Sequence, residues 1–93
     1  MGAFMVVATF KDDTEMSEVF AVVAEEQARV KVLEDEGKIS SVHLSLARGT
    51  VFIETHAENI QEAELTIQSL PMAKWWKLEI FPLAPAQNEA AQS

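Results

Sequence analysis

Residues 40–56, SSVHLSLARGTVFIETH, decide the fold, because apolar and polar side chains alternate twice around the central ARGT. Alternation with a period of two is typical of strands that bury one face, so we predict a β-hairpin. One face of the hairpin carries the apolar set Val42, Leu44, Leu46, Val51, Ile53 and Thr55. The other face carries His43, Ser45, Phe52, Glu54 and His56.

The register of this hairpin depends on its turn. If Arg48 and Gly49 form a two-residue turn, His43 lies opposite Glu54, within reach across the strands. A shift of two residues would pair His43 with Phe52 or with His56 instead, and the division into two faces would be unchanged.

The polar side chains of the hairpin suggest three kinds of site. His43 and Glu54 could transfer protons, because a carboxylate orients an imidazole and raises its pKa. Together with His56 they could bind a metal ion through two histidines and one carboxylate. The simplest alternative to these two functional sites is that His43 and Glu54 form a polar pair at the rim of a subunit interface.

The segment before the hairpin predicts a strand and one long helix. Residues 3–10, AFMVVATF, are apolar on both faces, as in a strand covered from both sides. Thr14 is a plausible N-cap and Gly37 is the natural end of the helix. An apolar stripe along the helix is interrupted by Glu26 and Gln27; its members are Met16, Val19, Phe20, Val23, Val30 and Leu33.

The segment after the hairpin predicts a second helix and a last strand. Asn59 and Glu62 resemble a capping box at the start of the helix, and Pro71 follows its end. The residues of this helix that we expect to face inward are Ile60, Ala63, Ile67 and Leu70. Residues 74–83 predict a strand with Trp76, Leu78 and Ile80 on one face. The opposite face of that strand would carry Trp75, Lys77, Glu79 and Phe81.

These elements predict an α+β fold of the ferredoxin-like type, in the order βαββαβ, with two helices on one face of an antiparallel four-stranded sheet. We expect residues 1–84 to form a single domain, followed by a polar tail at residues 85–93. The other sheet face would expose an aromatic patch, which usually marks an interface. We therefore predict a homodimer through Trp75, Phe81 and Phe52. The sequence also allows a higher oligomer.

The composition limits the classes of molecule that the protein is expected to bind. The 93-residue chain has a net charge of −8 and a hydrophobic fraction of 48%. This charge disfavours nucleic acid and anionic membranes, and the absence of cysteine excludes disulfides and thiolate sites. The apolar start lacks a basic leader, and no apolar run is long enough to span a membrane. We expect a soluble cytoplasmic protein with a small-molecule ligand.

Two stretches carry a resemblance to a known family. ARVKVLEDEGKI at residues 28–39 and AELTIQSLPMAKWWKLEIFPLAP at residues 63–85 resemble the muconolactone isomerase-like proteins of the dimeric α/β-barrel superfamily. The similarity covers residues 3–84, and its most specific parts are Leu70 with Pro71 and the EIFPLA of residues 79–84.

The resemblance implies ferredoxin-like subunits that pair sheet to sheet. It also implies an enzyme that moves a proton within an unsaturated lactone during aromatic-compound breakdown, without a metal or an organic cofactor. Glu26 aligns with a helix glutamate of the family. The chain departs from the family on its first strand, where Met5, Val7 and Thr9 replace charged residues. An arginine expected on the second strand is missing unless Arg48 replaces it from the turn.

Glu26 is the strongest catalytic candidate, because burial in an apolar stripe raises the pKa of a carboxyl toward neutral pH. The alternative is that Glu26 reaches out from the edge of the stripe or pairs with Arg29. The catalytic candidates are Glu26, His43 and Glu54. The substrate-binding candidates are Arg29, Trp75, Phe52 and Arg48; Trp75 could stack on a planar substrate or anchor an interface.

Three functions fit this pattern. The first is a cofactor-free isomerase acting on a small unsaturated lactone or related acid. The second is a non-catalytic oligomer that binds a small molecule or assists a pathway enzyme. The third is a cofactor-independent monooxygenase on the same superfamily fold.

Overall fold

The computed structural model of the protein describes residues 2–84. Its elements, in chain order, are β1 (Gly2–Phe10), α1 (Met16–Ala21), α2 (Val23–Asp35), β2 (Ile39–Ser45), β3 (Thr50–Ala57), α3 (Ile60–Gln68) and β4 (Trp76–Leu83). Short 3-10 turns occupy Leu46–Arg48 and Pro71–Trp75. The strands form one antiparallel sheet in the order β2-β3-β1-β4, which confirms the predicted α+β class. The predicted tail at residues 85–93 lies outside the described residues.

One face of the sheet is covered by helices. Val6 of β1 is paired with Ile53 of β3, and both are buried in one cluster with Leu33 of α2 and Ile67 of α3. A smaller cluster joins Phe4, Ala57 and Ala63. The predicted helix-facing positions are therefore confirmed for the central strands.

The opposite face carries the alternate residues of the same strands. Val7 is paired with Phe52, and Met5 is paired with Phe81 on the other side of β1. The side chains of Phe52 and Phe81 are exposed to 37% and 48%. We call this surface the open face.

The predicted single helix after β1 is broken at Val22. This residue has φ −110° and ψ 12°, and its N–H donates to the carbonyl of Val19 rather than continuing the α-helical pattern. The break lies in a pair of β-branched valines, whose restricted side chains lower helix propensity. No helix within residues 2–84 is long and apolar enough to cross a membrane.

The helix caps were predicted with mixed success. Thr14 is not the N-cap, because its own N–H closes a turn onto Lys11 and the helix begins only after Glu15. The N-cap of the predicted capping box is confirmed, because Asn59 accepts from the N–H of Glu62 at 2.8 Å. The returning bond differs from the predicted motif: Glu62 accepts from the N–H of Glu58, at 2.7 Å, and not from that of Asn59. Gly37 ends α2 with a positive φ of 78°, as predicted.

The hairpin has the second of the predicted registers. Ser45 is paired with Thr50, and residues 46–49 connect them through a 3-10 turn and a left-handed Gly49. Because this connection is longer than a two-residue turn, His43 lies opposite Phe52 and not opposite Glu54. The predicted His43–Glu54 pairing is therefore wrong, whereas the division into two faces is confirmed for the residues that lie on the strands. Leu46, which was predicted on the apolar face, lies in the 3-10 turn and is 84% exposed.

The two tryptophans do not share a strand. Pro71 starts a 3-10 turn that includes Trp75, so β4 begins only at Trp76 and the predicted placement of Trp75 on the strand is wrong. The Lys74 ammonium lies 4.7 Å from the centre of a Trp75 ring. Trp76 is buried, as predicted, and packs edge to face on Phe10 with ring centres 6.1 Å apart.

Candidate functional site

A cavity of about 730 Å³ lies between the helices α1 and α2 and the covered sheet face. Its walls are mainly apolar and include Phe10, Val19, Val30, Val51 and Trp76. The helices on both sides of the break at Val22 contribute to the wall, α1 through Met16, Val19 and Phe20 and α2 through Val23, Glu26 and Val30. Ligand-sized cavities of this kind, with few polar groups, are the usual place for a small-molecule site.

Glu26 is the buried charged residue of this cavity. It lies in the first turn of α2, and only 9% of its surface is exposed. Its Oε1 accepts a hydrogen bond of 2.9 Å from the backbone N–H of Met72. The apolar stripe along the helix therefore carries one carboxyl into an apolar space.

The N–H of Met72 is available because it lies in the first turn of the 3-10 segment that Pro71 begins. Proline occupies the first position of the 3-10 turn, and the first N–H groups of any helical turn have no partner within it. The Glu26 carboxyl supplies the missing acceptor and thereby connects α2 to the entry of β4.

Burial raises the pKa of Glu26 above its ordinary value of 4.5, and the hydrogen bond from Met72 partly opposes this effect. Desolvation dominates because an apolar surrounding disfavours the ionised carboxyl. Such a group retains its proton at a higher pH than an exposed glutamate and is better matched to proton transfer near neutral pH.

Arg29 does not pair with Glu26. Its Nε and Nη2 both donate to the Oγ of Ser69 at 3.2 Å, and this hydroxyl donates in turn to the carbonyl of Thr66 at 2.7 Å. Arg29 therefore connects α2 to the end of α3 and does not line the cavity. The predicted alternative of a Glu26–Arg29 pair is wrong.

The remaining predicted site residues lie away from Glu26. His43, Phe52 and Glu54 are on the open face, Arg48 is exposed in the hairpin turn, and Trp75 ends the 3-10 turn. None of these five lines the cavity. The structure therefore does not bring the predicted His43 and Glu54 together with Glu26 in one site.

His56 is held by the strand that precedes the hairpin turn. Its Nε2 is 3.0 Å from the Oγ of Ser40. Within residues 2–84, no group of three or more histidine, aspartate or glutamate side chains is arranged to hold a metal ion.

Sequence reasoning missed the polar residues at the cavity mouth and the Met72 amide. Gln27, Lys31 and Glu34 line the cavity and are exposed on α2. Their three- and four-residue spacing placed them on one helix face, but their contact with a cavity depends on the distant hairpin. The signal for the Met72 donor was Pro71, since proline often occupies the first position of a helical turn, and the N–H groups of a first turn have no partner within it.

Comparison with known proteins gives one positive result. The sequence model for muconolactone delta-isomerase matches residues 3–89 of the chain. A search of curated proteins finds no match.

Proposed function

The chain belongs to the muconolactone delta-isomerase family, and on this premise we propose that it moves the double bond of a small unsaturated lactone or related acid by proton transfer, without a cofactor. The observation that carries this proposal is the Glu26 carboxyl, which is buried in an apolar cavity and has a raised pKa. Intramolecular proton transfer needs one group that accepts a proton and returns it at a second carbon.

The proposed reaction conserves all atoms. The ionised Glu26 takes a proton from the saturated carbon attached to the conjugated C=C bond of the lactone, and the electrons of the broken C–H bond form a dienolate. The protonated Glu26 then delivers the proton to another carbon of the conjugated system. One C–H bond breaks, another forms, and the double bond moves between them.

The two carboxylate oxygens of Glu26 differ in their hydrogen bonding, which supports different roles for them. Oε1 is held by the Met72 N–H, which limits rotation of the carboxyl. No hydrogen bond within residues 2–84 engages Oε2, so this is the oxygen that would act on a bound substrate. A fixed orientation lowers the entropic cost of reaching the transition state.

The test measures turnover of muconolactone and of its methyl ester, with the ultraviolet absorbance reporting the moving double bond. We expect Glu26→Gln to lower turnover by at least about 100-fold, the usual contribution of a positioned acid or base. Glu25→Gln is the matched control, because Glu25 is the exposed neighbour and does not line the cavity. Full turnover in Glu26→Gln would remove the proposed role.

A second candidate function is binding without catalysis, which the mainly apolar walls of the cavity favour. It predicts that neither compound exchanges its protons with deuterated solvent, although one of them binds. It also predicts equal affinity in the wild-type protein and in Glu26→Gln.

We further propose that the subunit is ferredoxin-like and pairs with a second copy through the open face. The strand order β2-β3-β1-β4, with neighbours antiparallel, supports this architecture. Phe52, Phe81 and Leu83 are large exposed hydrophobic residues on this face. Charges of both signs, Lys77 and Glu79, precede Phe81 and Leu83 on this face of β4 and suit pairing of one face with a copy of itself.

A further inference from the structure

The indole of Trp76 carries a buried N–H group that its surroundings do not use. Within residues 2–84, the buried side-chain polar atoms without a hydrogen-bond partner are Oγ1 of Thr14 and Nε1 of Trp76. Thr14 does not line the cavity, whereas Trp76 does. A buried indole N–H usually has an acceptor, because an unpaired buried donor destabilises the folded protein. The unpaired donor of Trp76 therefore needs a functional explanation.

The proposed reaction requires a hydrogen-bond donor in the cavity. When Glu26 takes its proton, negative charge develops on the carbonyl oxygen of the dienolate. A donor that is already in place stabilises such a charge more strongly in a site that excludes water than in water itself. This interaction lowers the barrier because it is stronger in the transition state than in the bound substrate.

Trp76 meets this requirement better than the other side-chain donors of the cavity. In the part of the chain that the structure describes, the lining side chains with an N–H group are Gln27, Lys31 and Trp76. Gln27 and Lys31 are exposed on α2, so water competes for their N–H groups. Trp76 is only 5% exposed. An indole nitrogen also donates without accepting, so it does not compete with Glu26 for the proton of the substrate.

The segment that begins at Pro71 brings both groups to the same cavity. Its Met72 N–H holds Oε1 of Glu26 at 2.9 Å, and further along Trp76 enters the wall at the first position of β4. Phe10, the residue paired with Trp76 across the strands, packs edge to face on the indole and restrains its plane. The base and the donor are therefore both fixed by the fold.

We propose that the indole N–H of Trp76 donates a hydrogen bond to the carbonyl oxygen of the lactone and stabilises the dienolate that Glu26 generates. The proton stays on the indole nitrogen throughout. Because Nε1 is shielded from solvent, the lactone reaches it by a small displacement of the side chains that cover it. This inference rests on the proposed function, because it names a second catalytic residue of the same site.

The first measurement follows the two indole N–H groups by NMR in protein that contains isotope-labelled tryptophan. Trp75 is the internal reference, because it does not line the cavity, and Trp75→Phe assigns the two signals. Muconolactone is added to Glu26→Gln, which slows its conversion. We expect the Trp76 signal to move downfield, the direction that a new hydrogen bond causes, and the Trp75 signal to stay in place. An analogue with a CH₂ group instead of the ring carbonyl should not produce this shift.

The second measurement compares turnover of muconolactone in Trp76→Phe and Trp75→Phe. Trp76→Phe should lower kcat by about 100-fold, the usual effect of removing a donor to a developing oxyanion, with a smaller change in KM. Trp75→Phe should retain full turnover. A third protein keeps the volume of the indole: Trp75→Phe with benzothienylalanine at position 76, where sulfur replaces the N–H group. It should show the same loss as Trp76→Phe.

The outcomes distinguish this inference from the proposed function. If muconolactone binds without moving the Trp76 signal, or if the benzothienylalanine protein retains full turnover, the inference is wrong and the role of Glu26 is unaffected. A Trp76 signal that responds to Phe10→Leu but not to muconolactone would place the N–H against the Phe10 ring and also contradict the inference.

If the Trp76 signal moves but the wild-type protein exchanges no substrate protons with deuterated solvent, the hydrogen bond stands as a binding contact and the proposed catalysis is wrong. Absence of binding would contradict both proposals.

Discussion

The two faces of the sheet differ in what they do to a polar side chain. On the covered face, α2 places Glu26 in an apolar cavity, where desolvation raises its pKa. On the open face, His43 is exposed and Glu54 is only partly buried, and neither side chain lines the cavity. In this protein the surroundings of a carboxyl, and not the number of titratable residues nearby, distinguish the candidate site.

The sharpest comparison uses two adjacent residues of β3. Ile53 is 1% exposed on the covered face, whereas Phe52 is 37% exposed on the open face. We expect Ile53→Ala to lower the free energy of unfolding by about 2–5 kcal/mol, because it leaves a cavity in the core. Phe52→Ala should cost less than about 1 kcal/mol in dilute protein. Urea unfolding measures both, and equal losses would show that the open face is packed within the subunit.

The next prediction concerns Phe81 and the proposed dimer. Phe81→Lys should weaken the dimer by at least about thirtyfold, the effect expected of an aromatic residue central to an interface. Leu65→Lys is the control, since Leu65 is exposed on α3, on the other side of the sheet. Light scattering against concentration measures both, and an unchanged dimer in Phe81→Lys would mean that the copies meet elsewhere.

The pH dependence of stability tests the covered face. Because the pKa of Glu26 is raised in the folded protein, the unfolded chain releases this proton first as the pH rises above about 4.5. Stability from this group is therefore fully present below pH 4.5 and is lost as the pH rises through the folded pKa. The loss amounts to ~1.4 kcal/mol for each unit by which the pKa is raised.

Glu26→Gln should remove this slope, whereas Glu25→Gln should retain it. Urea unfolding at a series of pH values measures the difference. Parallel curves for wild-type protein and Glu26→Gln would show that burial does not penalise the ionised carboxyl.

The smallest expected effect is that of the α3 cap. Asn59→Ala removes the acceptor for the Glu62 N–H and should cost about 1 kcal/mol. Gln61→Ala, a change at an exposed position of the same helical turn, is the control. If thermal unfolding gives the same midpoint for both variants, the cap contributes nothing to stability.

Local patterns predicted most of the fold. A continuous apolar run identified β1, the period of two identified β2 and β3, and the Asn59–Glu62 spacing identified the start of α3. Each of these signals is contained in a few neighbouring residues. The register of His43 was not predictable, since it depends on the conformation of residues 46–49. The position of Trp75 depended on whether Pro71 opened a turn or preceded a strand.

The site was predictable only in part, for the same reason. Glu26 was identified because it interrupts an apolar stripe on its own helix. Its donor at Met72 and the indole wall at Trp76 come from a distant segment, and no local pattern connects them to α2. His43 and Glu54 have the right chemistry for proton transfer, but strand geometry places them on the face opposite the cavity.

The hydrogen bond between Glu26 and Met72 joins residues 46 positions apart. During synthesis, α2 leaves the ribosome well before the segment that orients its carboxyl and closes its wall. A nascent chain that ends before Pro71 carries the Glu26 carboxyl without the Met72 amide donor or the Trp76 indole. The surroundings of this carboxyl are therefore incomplete until the segment that begins at Pro71 has been made.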